Sequence, residues 1–250
     1  MKQGMLAEVV GIVGHNGVTI EAYLARPISA SPMGGMIVLH HAPGWDDWSR
    51  EVVRTFAHRG YAAICPHLYH RRGPGHWEDI AAAARAEGLD KAMPNEQIIG
   101  DIEGAIAYLR AQPDSNGKVG VIGFCSGGRQ AYLAACEIPE LNAAIDCWGG
   151  SIVPRTDPTK PASLSRGVLH RSPDMQVPLL GIFGNDDTNP SPADIDEIEA
   201  TLQRLGKSYE FHRYDGAGHA FFTTDRINYR PEQAVDGWRR VFAFCETYLS

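Results

Sequence analysis

The most informative residues of the sequence lie where a predicted strand meets a predicted helix. Residues 119–128 run from apolar side chains into Gly-Phe-Cys-Ser-Gly-Gly, which places Cys125 at the centre of a Gly-x-Cys-x-Gly motif. Glycine at positions 123 and 127 permits the tight, strained turn known as a nucleophile elbow. The start of a helix also favours a thiolate, because the helix dipole is positive there. The motif therefore predicts a nucleophilic Cys125 rather than a buried structural thiol.

A base and an orienting acid for this nucleophile follow later in the chain. His219 ends a glycine-rich loop, Tyr-Asp-Gly-Ala-Gly-His, that comes after a predicted strand. Asp186 and Asp187 directly follow the predicted strand 179–184, and either carboxylate could orient the imidazole. The order nucleophile, acid, histidine is the one found in α/β-hydrolases. Ser126 is not expected to be the nucleophile, because the turn centres on the residue before it.

The segments that carry these residues resemble the dienelactone hydrolase family of α/β-hydrolases. The resemblance extends over most of the chain, and five stretches carry it: 64–69, 115–120, 123–128, 184–186 with Pro190, and 217–221. It implies that Cys125 is the nucleophile and His219 the base. It also implies that Asp186 is the orienting acid, since Asp186 keeps the family's spacing to the following proline.

The loop after the predicted strand 36–39 has a second role in this family. The resemblance implies that the backbone N–H groups of Ala42 in this loop and of Ser126 bind the oxyanion, each contributing about 3–4 kcal/mol to transition-state stabilisation. The same loop departs from the family, whose dienelactone hydrolases carry a glutamate where His41 stands. They also carry an arginine shortly after the catalytic histidine, where this chain has Phe-Thr-Thr at 222–224.

These departures leave the natural substrate open and give His41 two interpretations. We hypothesise that His41 lies within reach of Cys125 and influences its ionisation; the alternative is that it forms hydrogen bonds within its own loop. Candidate substrate contacts are His41, the aromatic side chains near predicted strand ends, Trp45, Tyr69 and Trp148, and Arg85, which could pair with a substrate carboxylate.

Several histidines lie close together in the sequence and raise the question of a metal site. His40 and His41 are adjacent, and His67 and His70 are three residues apart. Zinc requires three or four converging ligands, and nothing in this spacing demands such a set. Hydrolysis through a thioester needs neither a metal nor an organic cofactor, so we expect none.

The predicted elements that must position these residues alternate short apolar strands with longer helices. A hairpin over 8–13 and 18–25 precedes strands at 36–39, 62–65, 119–123, 143–148, 179–184 and 209–214. Helical patterns occupy 48–59, 99–109, 191–206 and the C-terminal stretch from 235. The alternation predicts an α/β-hydrolase fold, with a mostly parallel, doubly wound sheet and helices on both faces, in one domain over 1–250. The irregular segments 67–94 and 152–176 are expected to cover part of the active site.

Length and composition set the class of protein. The chain has 250 residues, 44% of them hydrophobic, and a net charge of −7. A nucleic-acid binder normally presents a basic patch, so this class is excluded. The five scattered cysteines form no CxxC pair, and no apolar run could span a bilayer, which favours a cytoplasmic protein without disulfides or membrane contact. We expect a monomer or homodimer that acts on a small molecule.

The sequence therefore predicts a hydrolase that cleaves an ester or a lactone through a Cys-His-Asp triad and a thioester acyl-enzyme. Two alternatives come from other classes of protein. One is a thiol-based redox or stress protein in which Cys125 is oxidised rather than acylated. The other is a non-catalytic ligand-binding protein on a hydrolase fold.

Overall fold

The N-terminal hairpin forms where the alternating pattern predicts it. The structure is a computed structural model and describes residues 4–28, 31–154 and 167–250. Strands β1 (Met5–Val13) and β2 (Thr19–Pro27) pair antiparallel. A one-turn 3-10 helix, His15–Gly17, joins them, and Asn16 adopts the positive φ of 55° that asparagine tolerates. The predicted hairpin is confirmed.

The chain divides into two compact units, which are described separately. Unit 1 comprises residues 1–121 with 248–250, and unit 2 comprises residues 122–247. The single domain expected over 1–250 stays a prediction. In the part of the chain that the structure describes, no helix is long and apolar enough to cross a membrane.

Unit 1 contains the hairpin, two buried strands, the start of a third and four helices. In chain order these are β3 (Met33–Leu39), α1 (Asp47–His58), β4 (Ala62–Pro66), α2 (Trp77–Glu87), α3 (Leu89–Ala92), α4 (Asn95–Arg110) and the first part of β5 (Ser115–Phe124). The strand order is β1-β2-β4-β3-β5, with β3 and β4 parallel. Every residue of β3 and β4 is buried, as expected for strands covered on both faces. Helices α1 and α4 pack against these strands.

Unit 2 continues from the end of β5 with three parallel strands. Its elements are α5 (Ser126–Glu137), β6 (Ala143–Cys147), a 3-10 helix (Leu169–Asp174), β7 (Leu179–Gly184), α6 (Pro192–Arg204), β8 (Tyr209–Tyr214) and most of α7 (Pro231–Leu249). The strand order is β5-β6-β7-β8. Gly184 pairs with Tyr214, so β7 and β8 end side by side and the loops after them start together. The predicted α/β class with a mostly parallel sheet is confirmed.

The two segments expected to be irregular have different outcomes. Segment 67–94 contains helices α2 and α3, so the expectation of an irregular structure is wrong there. Helix α2 buries Ile80, Ala81 and Ala84. The glycines and proline at 73–75, just before the helix, make this pattern hard to recognise in the sequence. In segment 152–176, residues 155–166 lie outside the described residues.

The predicted start of α6 is confirmed. Ser191 is the N-cap residue directly before Pro192, and it forms a reciprocal capping box with Asp194.

Candidate active site

Cys125 occupies a strained turn between strand β5 and helix α5. Its backbone has φ 56° and ψ −117°, a conformation that costs a non-glycine residue on the order of 1–3 kcal/mol. The Cys125 N–H donates to the carbonyl of Cys147 at 3.0 Å, which fixes the turn to the end of β6. A Cβ on Gly123 would overlap the carbonyl oxygen of Gly127, so only glycine fits there. Cys125 remains partly exposed, whereas the other four cysteines are buried.

Ser126 begins helix α5 directly after the strained residue. The first N–H groups of a helix have no intrahelical acceptor, and the partial positive charge of the helix is concentrated there. The Ser126 N–H therefore has the chemistry of an oxyanion donor next to the thiol. Its position at the helix start agrees with the role that the sequence predicts for it.

His219 contacts Asp187, and this corrects the prediction of Asp186 as the orienting acid. His219 Nδ1 lies 2.8 Å from Asp187 Oδ2. The Asp187 side chain is 3% exposed and its other oxygen accepts from the Asn189 N–H at 2.9 Å, so both oxygens are engaged. Asp186 is exposed. The loop after β7 thus turns the first aspartate toward solvent and the second toward the imidazole.

The physical reason for this one-residue difference lies in the backbone after β7. The Asp186 N–H donates to the carbonyl of Ala217 at 2.9 Å, which joins the loop after β7 to the loop after β8. The Asp187 N–H then turns back to the carbonyl of Gly184 at 3.3 Å. Spacing to Pro190 alone does not reveal where this turn occurs.

The protonation of His219 is controlled by its two neighbours. Burial alone would lower the pKa of this imidazole, but hydrogen bonds to Asp187 and to Cys125 raise it to about 10. Because Nδ1 contacts Asp187, the hydrogen bond to Cys125 uses Nε2. The imidazole can therefore take the thiol proton and remain cationic beside an anionic sulfur, which is the task of the base in such a triad.

Trp148, predicted as a substrate contact, packs against the ring of His219. Trp148 is 1% exposed. The centroids of its ring and of the His219 ring are 6.4 Å apart, in an edge-to-face arrangement. The rings of Phe124, Phe221 and Phe222 surround it at 5.2–5.6 Å. Burial leaves Trp148 almost no surface for a ligand, so the expectation of a substrate contact is replaced by a packing role.

Asp146 is a buried carboxyl group behind the nucleophile turn that sequence reasoning missed. It lies in β6 with no exposed surface, and one oxygen accepts from the Gly149 N–H at 2.7 Å. The other oxygen has no hydrogen-bond partner among the described residues. Burial raises the pKa of Asp146 to about 7. The sequence does not indicate that Asp146 is buried, because its burial depends on how the surrounding elements pack.

Replacing Asp146 with asparagine is expected to weaken the pH dependence of stability. Since the folded pKa lies above the unfolded value of 3.8, the folded state binds more protons, and the parent loses stability as pH rises from about 4 to about 7. Asp146→Asn stays neutral, so it should exceed the parent by on the order of 2 kcal/mol above this range. Urea unfolding at several pH values measures the effect. Glu246→Gln, at an exposed position, is the control, and parallel parent and Asp146→Asn curves would contradict the expectation.

In unit 1, side chains predicted to bind substrate form hydrogen bonds in or to the loop that contains Ala42, and for Trp45 and Arg85 a substrate contact stays a prediction. The carbonyl of Ala42 accepts from the Tyr69 hydroxyl at 3.1 Å and from Arg85 at 3.2 Å. Trp45 is 5% exposed and donates to the carbonyl of Cys65 at 3.0 Å. Tyr69 is fully buried, so a direct substrate contact by its side chain is contradicted. The role of the Ala42 N–H as an oxyanion donor stays a prediction.

His40 holds the same loop through hydrogen bonds made by both of its ring nitrogens. Its Nε2 accepts from the Leu68 N–H at 3.3 Å, so its Nδ1 carries the proton and donates to the carbonyl of His41 at 2.9 Å. Burial lowers the pKa of His40 to about 4, which keeps the ring neutral in this tautomer. The Gly44 N–H also donates to the His41 carbonyl, at 2.9 Å.

His41 pairs with a buried carboxylate that sequence reasoning did not single out. Its Nε2 lies 2.5 Å from Asp46 Oδ2, and its ring packs on Trp48 at 5.3 Å. Burial opposes ionisation of Asp46, but hydrogen bonds from His41 and Ser49 lower its pKa. The partner of His41 is therefore a side chain in its own loop, and its influence on Cys125 stays a prediction. Across the described ranges, no three His, Cys, Asp or Glu side chains gather as metal ligands.

Comparisons with known proteins point to one family. The model of the dienelactone hydrolase family matches residues 20–249. A candidate carboxymethylenebutenolidase of Methylorubrum extorquens is 31% identical over 243 residues, covering 95% of this chain and 80% of that protein. The carboxymethylenebutenolidase of Pseudomonas putida is 31% identical over 231 residues, 90% of each chain. The crystal structure of a candidate dienelactone hydrolase from Klebsiella pneumoniae has a TM-score of 0.84 at 26% identity, covering 98% of this chain and 100% of that one.

Proposed function

The chain belongs to the dienelactone hydrolase family and is a carboxylic ester hydrolase, and from this we propose that it opens an ester or a lactone through a thioester on Cys125. The proposed triad is Cys125, His219 and Asp187. The observation that carries the proposal is the position of His219, which is hydrogen-bonded to a buried carboxylate through Nδ1 and to the thiol on its other side.

The proposed reaction begins with proton transfer from the Cys125 thiol to His219. The thiolate attacks the carbonyl carbon, and the oxyanion is bound by the Ser126 N–H and by the Ala42 N–H that the family resemblance implies. The tetrahedral intermediate breaks its C–O bond, and His219 returns the proton to the departing alkoxide, which in a lactone stays attached to the acyl chain. Water then gives a proton to His219 and attacks the thioester. The second tetrahedral intermediate breaks its C–S bond, and His219 returns the proton to the sulfur, which releases the acid and the thiol.

The chemistry of sulfur narrows the class of substrate. Thiolate is a better leaving group than alkoxide, so a tetrahedral intermediate on Cys125 returns to the substrate unless the departing oxygen is stabilised. Enol esters and strained lactones meet this condition. We therefore propose an activated ester or lactone of small size as the substrate.

An acyl adduct on Cys125 is the expected result when the enzyme is mixed with p-nitrophenyl acetate and quenched with acid. Intact-mass measurement should show one added acetyl group, peptide mapping should place it on Cys125, and it should disappear as turnover continues. The four buried cysteines provide internal controls and should stay unmodified. Oxygen adducts under mild peroxide without any acylation would support the redox alternative, and neither modification would support a binding protein.

A further inference from the structure

A groove within unit 1 contains polar groups that the proposed reaction does not use. Its volume is about 500 Å³ and it is open to solvent on one side. Its lining combines aromatic, basic and acidic side chains: Trp45, Asp47, Arg50, His67, His76, Trp77 and Glu78. None of these residues belongs to the proposed triad.

His67 is the buried polar group of this groove. It is 2% exposed, and neither ring nitrogen has a hydrogen-bond partner among the residues that the structure describes. Its ring stacks on Trp45 at 5.0 Å between centroids. Burial, together with the nearby basic groups His40, His70 and Arg50, lowers the pKa of His67 to about 3, so the ring is neutral near neutral pH. A neutral imidazole offers one N–H donor, and leaving it unsatisfied in a buried position is costly.

Arg50 supplies a positive charge beside His67. Its guanidinium lies 4.8 Å over the Trp45 ring, and its Nε is buried without a hydrogen-bond partner in the described part of the chain. Arg50 lies 3.6 Å from the carboxylate of Asp47, whose side chain is 90% exposed, so water screens this pair. Arg50 and His67 both line the groove, so each can offer a donor to an incoming acceptor.

The remaining lining sets the shape and charge of the ligand. Trp77, at the start of α2, is half-exposed and presents a flat apolar surface. Glu78 and His76 are exposed at the rim of the groove, with His76 Nδ1 3.7 Å from Glu78 Oε2. Asp47 is exposed as well. Carboxylates so exposed repel an anion weakly, because water and salt screen them.

We propose that this groove binds a small organic carboxylate with a planar apolar body. One carboxylate oxygen accepts from the His67 N–H and the other from the Arg50 guanidinium, which can stack on Trp45 through its face while donating through its edge. The planar body lies against Trp77. The site goes beyond the proposed hydrolase function and does not depend on it, since no triad residue takes part.

Benzoate is the probe that tests this site, measured by isothermal titration calorimetry on the full chain with Cys125 blocked by iodoacetamide. Binding is expected, and Arg50→Gln and His67→Phe should each raise the Kd about tenfold or more, since each removes a charge-assisted hydrogen bond. Arg54→Gln is the matched control on the same helix, because Arg54 pairs with Glu51 and Tyr23 outside the groove. Benzamide, which lacks the charge, should bind more weakly than benzoate.

A second measurement on the unsubstituted chain does not depend on whether the variants fold. Benzoate should shift the NMR resonances of the His67 imidazole and leave those of His212, an exposed histidine paired with Glu210, unchanged. The proposal is overturned if benzoate does not bind, if it binds without moving the His67 resonances, or if Arg50→Gln and His67→Phe retain the parent Kd. Binding that disappears when Cys125 is blocked would place benzoate at the triad and would equally overturn the proposal.

Discussion

Replacing Cys125 with alanine is expected to lower kcat/KM for an activated ester by about 10⁴-fold or more. The variant loses the atom that forms the acyl-enzyme, so the remaining donors and the imidazole can only assist direct attack by water. A positive φ of 56° strains any residue with a Cβ, alanine as much as cysteine, so the stability should change little. Steady-state hydrolysis of p-nitrophenyl acetate, corrected for the uncatalysed rate, measures the effect.

Cys136→Ala is the matched control for that experiment. Cys136 lies on helix α5, the helix that Cys125 precedes, and burial raises its pKa to about 12, so it remains an unreactive thiol. Its removal should leave kcat/KM within about threefold of the parent, apart from any loss of stability caused by the small cavity. A Cys125→Ala enzyme with activity close to the parent would refute the proposed covalent mechanism.

The second large loss of activity is expected when Asp187 is replaced, and replacement of Asp186 is the comparison. Asp187→Asn should lower kcat by about 10³-fold, because an amide cannot stabilise the imidazolium and can favour the wrong tautomer of His219. Asp186→Asn, at an exposed neighbour of the same residue type, should change kcat by less than about threefold. The two variants are measured with the same ester, and circular dichroism confirms that both are folded.

The pH profile provides a further readout for this pair. The hydrogen bond from Asp187 contributes to the raised pKa of His219, so its loss should move the histidine-dependent limb of the profile to lower pH, whereas Asp186→Asn should leave the limb in place. Equal losses of kcat in both variants, or a larger loss in Asp186→Asn, would contradict the assignment of Asp187.

Sequence alone predicts those parts of the site that depend on local backbone geometry. The nucleophile turn requires glycine at 123 and a strand and helix on either side, and all of these are visible in the sequence. The choice between Asp186 and Asp187 depends on where the chain turns after β7. Two backbone hydrogen bonds, from Asp186 to Ala217 and from Asp187 to Gly184, accompany that turn, and residue types do not show it.

Buried polar groups are the second class of feature that sequence reasoning misses. Asp46 and Asp146 belong to a residue type that is mostly exposed, and His67 to a type of intermediate burial, so residue type alone predicts burial for none of them. Their burial results from packing between elements far apart in the chain. Tyr69 and Trp148 show the converse: their positions near strand ends suggest ligand contacts, but Tyr69 supports a loop and Trp148 packs on the His219 ring.

The tautomer of His40 has a consequence for an amide that it does not touch. A peptide unit is planar and trans, so the direction of the His41 carbonyl determines the opposite direction of the Ala42 N–H. Two donors, His40 Nδ1 and the Gly44 N–H, hold that carbonyl at 2.9 Å each. The Ala42 N–H is thereby preorganised before any substrate arrives. Because the pKa of His40 is about 4, its ring keeps the same tautomer near neutral pH, and the direction of the Ala42 N–H is kept with it.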